Sequence, residues 1–144
     1  MPLPGPTPAW WSPTARAVIS GLSGDTDRAH VAHAAVDAIC QRVCDVLDAM
    51  RGFIAIDEVR IDGGLTASEI LPQTLANLAG MPVELGAMDT TALGAAALAA
   101  VGAGVLATVE EIAELVPPLR ELAPQSVRDS RDAWREFVAR ASSL

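Results

Sequence analysis

The sequence predicts a single α/β domain, on three observations. An apolar segment over residues 58–62 ends in Gly63-Gly64 and runs into a helix start. Helical periodicity flanks that segment on both sides, and a second short apolar segment, residues 82–85, follows the second helix. Helix, strand, helix, strand, helix is the order that builds a sheet with helical cover. Residues 26–104 are therefore expected to form such a unit, with the two strands neighbours in one sheet.

Each element has its own reason. Residues 1–16 hold four prolines within the first eight positions and read as an extended lead-in, with Trp10 and Trp11 as anchors. From Asp25-Thr26 to about Met50, Ala29, Ala32, Val36, Cys40, Val43 and Leu47 recur at three-to-four spacing, the mark of one apolar helix face, and Arg51-Gly52 ends the run. The strand over residues 58–62 reads as buried. Its helix, residues 69–78, carries Ile70, Leu71, Leu75 and Leu78, and Thr66 with Glu69 has capping-box spacing. Pro72 falls early in that helix, where a missing donor matters least. The alanine-rich run over residues 91–101 has little side-chain bulk, so it is expected to be buried on several sides or pressed against another backbone. Thr108 and Glu111 open a short helix to about Leu115, ended by Pro117-Pro118. Residues 126–141, with Val127, Trp134, Phe137 and Val138 on one side, read as a C-terminal surface helix.

Composition removes several function classes. A net charge of −8, with ten basic residues that are all arginine and dispersed, lacks the basic stripe that phosphate backbones require, so nucleic acid is excluded as a partner. The longest apolar run, residues 92–107, is interrupted by Gly94, Gly102 and Gly104 and falls short of a membrane span. With no basic n-region at the start, the expected location is the cytoplasm. Cys40 and Cys44 share a helix face at a spacing unlike a redox or zinc pair, and His33 lies too far along the helix to join them on one metal. They read as small core side chains, and His30 as a helix-packing residue. No metal site is expected from residues of this chain.

The turn Val59-Arg60-Ile61-Asp62-Gly63-Gly64-Leu65-Thr66-Ala67-Ser68-Glu69 bears most directly on function. A side-chain-free turn at the carboxyl end of a strand lets a ligand reach the backbone, and the amides of a helix start carry partial positive charge suited to a nucleotide. An ordinary tight strand-to-helix turn would use the same residues.

Three segments in order then resemble one family. Ala9-Trp10-Trp11-Ser12-Pro13-Thr14-Ala15-Arg16 comes first. Ala17-Val18-Ile19-Ser20-Gly21-Leu22, followed at fixed spacing by His30-Val31 and Ala34-Ala35-Val36-Asp37, is the second. The third is Asp62-Gly63-Gly64 with Thr91-Ala92-Leu93-Gly94-Ala95-Ala96 downstream. Together they resemble the C-terminal domain of the FGGY family of carbohydrate kinases, and within it the glycerol kinases, over about residues 5–141. The resemblance implies a ribonuclease H-like fold of the actin-like ATPase superfamily. It also implies that the family's first strands would precede residue 1, so that the domain is shortened and one sheet edge is bare. A bare edge invites association, hence an expected partner chain or homo-oligomer.

By the same resemblance, Gly63 and Gly64 lie against the adenosine part of ATP, and Ser68 stands where glycerol kinases place an asparagine on the adenine. Gly94, with Ala92 and Leu93, belongs to the helix beside that pocket. ATP with magnesium is the implied cofactor. The polyol or sugar pocket, the phosphate hairpin and the general base belong to the family's N-terminal domain, so no catalytic residue is expected in this chain. Asp62 could serve as a general base, but with no substrate pocket expected in the chain it reads rather as structural or as a ligand to magnesium-bound water. Thr7, Ala9, Ser12, Ser68 and Glu69 depart from the family's residues, and Glu69 adds negative charge beside a pocket for an anion. There is no lysine and no Walker-type loop. The expected function is the ATP-binding part of a carbohydrate kinase, active only with an N-terminal domain. The alternative is a non-catalytic remnant or interaction module that keeps the fold without ATP.

Overall fold

The computed structural model describes residues 17–108, 110–112, 116, 120–126 and 130–141. The lead-in with Trp10 and Trp11, the departures at Thr7, Ala9 and Ser12, and Val127 lie outside the described residues, as does most of the short helix expected after Thr108. Eight elements follow in order: helix α1 (Arg28–Arg51), strand β1 (Val59–Ile61), a 3-10 turn (Gly64–Ala67), helix α2 (Ile70–Ala79), strand β2 (Val83–Leu85), helix α3 (Thr90–Gly102), strand β3 (Arg120–Leu122) and helix α4 (Arg131–Ala141). The expected helix, strand, helix, strand, helix unit is present. β1 and β2 are neighbours and parallel, with Val59 opposite Val83 and Ile61 opposite Leu85. β3, antiparallel to β2, completes the order β1-β2-β3.

α1 starts at a reciprocal cap. The Asp27 carboxylate accepts from the His30 amide at 2.9 Å, and His30 Nδ1 faces the Asp27 amide at 3.3 Å. His30 is exposed and serves the helix start, which corrects its reading as a packing residue. The apolar face of α1 is buried only in its second half, where Cys40, Cys44 and Leu47 join the core; Ala29, Ala32 and His33 are exposed.

That core is a wedge in which α1 and α2 meet over one face of the sheet. Leu71, Leu75, Ala76, Leu78 and Ala79 of α2 meet Cys40, Cys44 and Leu47, with Val83 beneath and Val59, Ile61 and Leu85 packed against the cluster. The strands are half-buried rather than fully buried, because side chains alternate across the sheet. Arg60 and Glu84 lie on the opposite face and pair there, Arg60 Nε donating to Glu84 Oε2 at 3.0 Å. Burial pushes the Cys40 thiol up to about 11, with Cys44 and Asp37 adding to the effect, so it stays protonated and unreactive at neutral pH.

Polar groups tie the helices together. Arg51 Nη2 donates to the Ala79 carbonyl at 2.9 Å, satisfying an orphan acceptor at the end of α2. Gln73 Nε2 donates to the Ala123 carbonyl at 3.0 Å, and Asn77 Oδ1 accepts from the Gln125 amide at 2.9 Å, so α2 holds the exit of β3. α4 has no fully buried residue and sits on α1 through Arg131, Trp134 and Arg135.

α3 departs from expectation. Of its residues only Ala97 is buried, and Leu98 is 64% exposed. A Cβ added at Gly94 would meet nothing within 4 Å. Small side chains permit close packing, but the described residues cover little of this helix beyond Ala97.

Candidate functional site

The carboxyl ends of two adjacent parallel strands form the candidate site. Open α/β sheets bind ligands outside such strand ends. β1 exits through Asp62-Gly63-Gly64, β2 exits through Gly86, and α2 and α3 begin at this end. The two exits are joined: the Gly86 amide donates to the Ile61 carbonyl at 2.8 Å. A Cβ at Gly86 would stand 3.3 Å from the Asp62 Cβ, so this close approach favours glycine. Gly86 was not singled out in the sequence, where one glycine after a short strand gives little signal.

Gly63 and Gly64 do different work. Gly63 has φ 88° and ψ −179°, a conformation essentially confined to glycine. Gly64 has no such constraint and opens the 3-10 turn, and an added Cβ at either residue would meet nothing within 4 Å. The outer face of the turn is thus open to a ligand. The Thr66 hydroxyl donates to the Gly63 carbonyl at 2.7 Å and closes the turn from within.

The helix start differs from the predicted one. Thr66 and Glu69 form no capping box; α2 begins at Ile70, and Ser68 Oγ accepts from the Ile70 and Leu71 amides at 3.3 Å each. A 3-10 turn separates the glycines from α2, so the capping oxygen moves to the residue nearest the helix. The consequence for Ser68 is chemical. Its oxygen is engaged by the backbone, and two of the amides thought to face the ligand are engaged by it. α3 has no side-chain cap, its Thr90 hydroxyl donating to the Ala87 carbonyl at 2.7 Å, so its first amides are unclaimed by side chains.

ATP and magnesium fit this site unequally. The open backbone of Gly63 and Gly64 suits the close approach of a nucleoside. Asp62 is an exposed carboxylate, and among the described residues no three His, Cys, Asp or Glu side chains gather into a metal site. Magnesium keeps several of its waters and is held by one or two carboxylates together with substrate phosphates, so an exposed carboxylate such as Asp62 would suit it only as part of a shared site and not as a cage of its own.

The Gly63 conformation carries a test. Gly63→Ala is expected to cost about 1–3 kcal/mol, because the replacement must hold a strained backbone. Gly64→Ala, at an unstrained position, is expected to be neutral or to stabilise by about 0.4–1 kcal/mol. Urea midpoints of the two variants check this, and equal losses at both positions would contradict the assigned backbone geometry.

Comparison with known proteins agrees with this architecture. The sequence pattern of the FGGY family of carbohydrate kinases, C-terminal domain, matches residues 2–103. The glycerol kinase of Aromatoleum aromaticum is 40% identical over 139 residues, covering 92% of this chain and 28% of that protein. The glycerol kinase of Thermococcus kodakarensis is 37% identical over 137 residues, with the same two coverages, 92% and 28%. Among solved structures, Plasmodium falciparum glycerol kinase with ADP superposes with a TM-score of 0.73 at 23% identity, covering 91% of this chain and 28% of that one. Xylulose kinase from Rhodospirillum rubrum gives 0.67 at 23% identity, covering 92% and 27%. The chain therefore spans between a quarter and a third of the length of the relatives it matches, and its fold is the ribonuclease H-like fold of the actin-like ATPases. With the pattern matched over more than half of its residues, this chain belongs to the FGGY family of carbohydrate kinases, as a C-terminal domain of the glycerol kinase type.

Proposed function

We propose that this chain is the ATP-binding part of an ATP-dependent polyol or carbohydrate kinase working in the cytoplasm, competent only together with an N-terminal domain. The observation that carries the reading is the open, glycine-specified turn at the joined carboxyl ends of β1 and β2, in a chain of this family. Gly63 sets the backbone course and Gly64 leaves its outer face clear for the adenosine. The uncapped start of α3 offers amide dipoles to an anion nearby. Ser68 contributes through the α2 cap it forms, and not through a free hydroxyl. Bound ATP supplies the phosphoryl group, and magnesium would enter on the nucleotide's own phosphate oxygens. The base that activates the substrate hydroxyl, and the polyol or sugar pocket, are assigned to the N-terminal domain.

Two results are expected. The isolated chain should release no ADP in response to glycerol or any pentose or hexose, since phosphoryl transfer needs several charged elements held together. Sugar-dependent ADP release above a buffer control would show that catalytic residues lie within this chain.

The second result concerns binding. Gly64→Val puts a branched side chain where the nucleotide approaches, and nothing in the fold stands within 4 Å of its first carbon. Calorimetry with ATP and magnesium, on the chain alone or joined to the N-terminal part of a relative, should show at least tenfold weaker binding with thermal unfolding nearly unchanged. That factor corresponds to about 1.4 kcal/mol. Equal binding by both forms would place the site elsewhere. No binding by the unsubstituted chain in either form would favour the non-catalytic reading, in which a committed Ser68 and an acidic Glu69 have replaced nucleotide contacts.

A further inference from the structure

We infer that the nucleotide site does not select adenine, and that Glu69 makes guanosine triphosphate a ligand held at least as tightly as ATP. This rests on the kinase reading, in which the base lies against the turn after β1, and adds to it how that base is read. Telling one base from another needs a side chain with hydrogen-bonding atoms to spare. Along the turn, the Thr66 hydroxyl donates inward to the Gly63 carbonyl at 2.7 Å. Ser68 Oγ accepts from the Ile70 and Leu71 amides at 3.3 Å each, and the one proton it keeps would find an acceptor on either purine, at N3 or N7. Leu65, Ala67 and Ile70 carry no polar side-chain atom. Glu69 remains. It is exposed, its side chain does not cap α2, and it pairs with no cation among the described residues.

The chemistry of that one side chain sets the direction. A carboxylate only accepts hydrogen bonds. The pairing edge of guanine offers it two adjacent donors, N1–H and the N2 amino group, a match for bidentate acceptance by two carboxylate oxygens. Adenine offers one donor, its N6 amino group, next to the N1 lone pair, which repels the second oxygen. The rest of the turn is indifferent to the base. Gly63 and Gly64 leave the backbone open, with nothing within 4 Å of an added Cβ, and Leu65 and Ile70, 63% and 54% exposed, offer apolar surface to any purine ring. Glu69 also places negative charge beside an anionic ligand. Two donors from guanine offset that charge better than the single donor from adenine.

Calorimetry with the magnesium salts of GTP, ATP and inosine triphosphate tests this, on the chain alone and on the chain joined to the N-terminal part of a relative. The Kd for GTP should be no more than about twice that for ATP, and inosine triphosphate, which keeps N1–H and lacks the amino group, should bind at least about threefold more weakly than GTP. Glu69→Gln exchanges one acceptor for a donor and so complements the donor and acceptor of adenine. In that variant the preference for GTP over ATP should fall at least about fivefold, and the gap between GTP and inosine triphosphate should close. A carboxylate that served only the start of α2 would lower the unfolding temperature on substitution and leave the ratios of the three affinities unchanged. Unchanged ratios, a GTP Kd more than about twice that of ATP, or equal binding of GTP and inosine triphosphate by the unsubstituted chain would each overturn the inference and leave the kinase reading standing. Binding of none of the three nucleotides, in either form of the chain, would end both.

Discussion

Leu75→Ala is expected to destabilise the chain by about 2–5 kcal/mol, the range for truncating a fully buried leucine. Leu75 is 1% exposed and lies in the wedge where α1 and α2 meet over β2, beside Cys40, Cys44 and Val83. The site cannot easily collapse, because the side chains across from it belong to two helices tied by Arg51 and to a sheet below. A domain of this size has a total stability of about 5–15 kcal/mol. The loss should therefore shift the urea midpoint by about 1 M or more, given an m-value of about 1–3 kcal/mol/M. Leu98→Ala on α3 is the matched control. At 64% exposed, its removal should stay within about 0.5 kcal/mol. Similar losses at Leu75 and Leu98 in circular-dichroism melts would mean that α3 is covered in solution and that the core does not lie on one side alone.

The contrast between those leucines marks where the sequence was legible. Periodicity located α1 and α2 to within a few residues, alanine richness located α3, and the glycine pair after Ile61 located β1, since these signals depend on neighbours in the chain. Burial of α3 was not legible: alanine reports that a helix can be packed closely, and what covers it is decided by distant polypeptide. β3 was missed because Arg120-Glu121-Leu122 shows three residues of alternation with only Leu122 buried, after a proline pair that reads as a terminator. The glycine turn after β1 was legible because Gly63 needs a backbone geometry that no other residue type adopts readily. The start of α2 was misread, with Thr66 and Glu69 in place of Ser68 as the cap, because a capping oxygen serves whichever helix start is nearest, and the 3-10 turn moved that start. The contact between α1 and α4 left a signal that apolar periodicity passes over. Gln41, Asp45 and Asp48 are spaced as one polar stripe, and Arg131 and Arg135 are its complement one turn apart.

That seam yields the remaining prediction. Arg131 Nη1 donates to the Gln41 carbonyl at 2.9 Å and to Gln41 Oε1 at 2.7 Å; its Nη2 donates to Asp45 at 2.6 Å and Asp48 at 2.8 Å. Trp134 Nε1 adds a bond to Asp45 at 3.0 Å, and Arg135 one to Asp48 at 3.0 Å. The Arg131 and Asp45 side chains are each 14% exposed, while Asp48 at 31% and Arg135 at 53% form the wetter rim, so the network has a largely buried centre at Arg131 and Asp45. Arg131→Ala removes the cation shared by the two carboxylates, which keep Arg42 beside Asp45 and Arg51 and Arg135 beside Asp48, at an expected cost of about 1–3 kcal/mol, between the ranges for exposed and broken buried pairs. α4, with no buried residue of its own, should detach first, seen as faster hydrogen exchange over residues 131–141 while α2 stays protected. The same network sets an acid limit. Burial raises the Asp48 pKa, but the hydrogen bonds and charges of Arg131 and Arg135 together outweigh it and hold the carboxyl below its ordinary value of 3.8. A carboxylate depressed in the folded state stabilises it fully above the unfolded value and loses that contribution as pH falls through the folded one. Docking of α4 should thus be unchanged between neutral pH and about 5 and weaken below about 4. In Arg131→Ala this acid-dependent step should shrink, because the main cause of the depression is gone. An α4 that stays protected in the variant, or a step of undiminished size, would show that the helix is held by something other than this arginine.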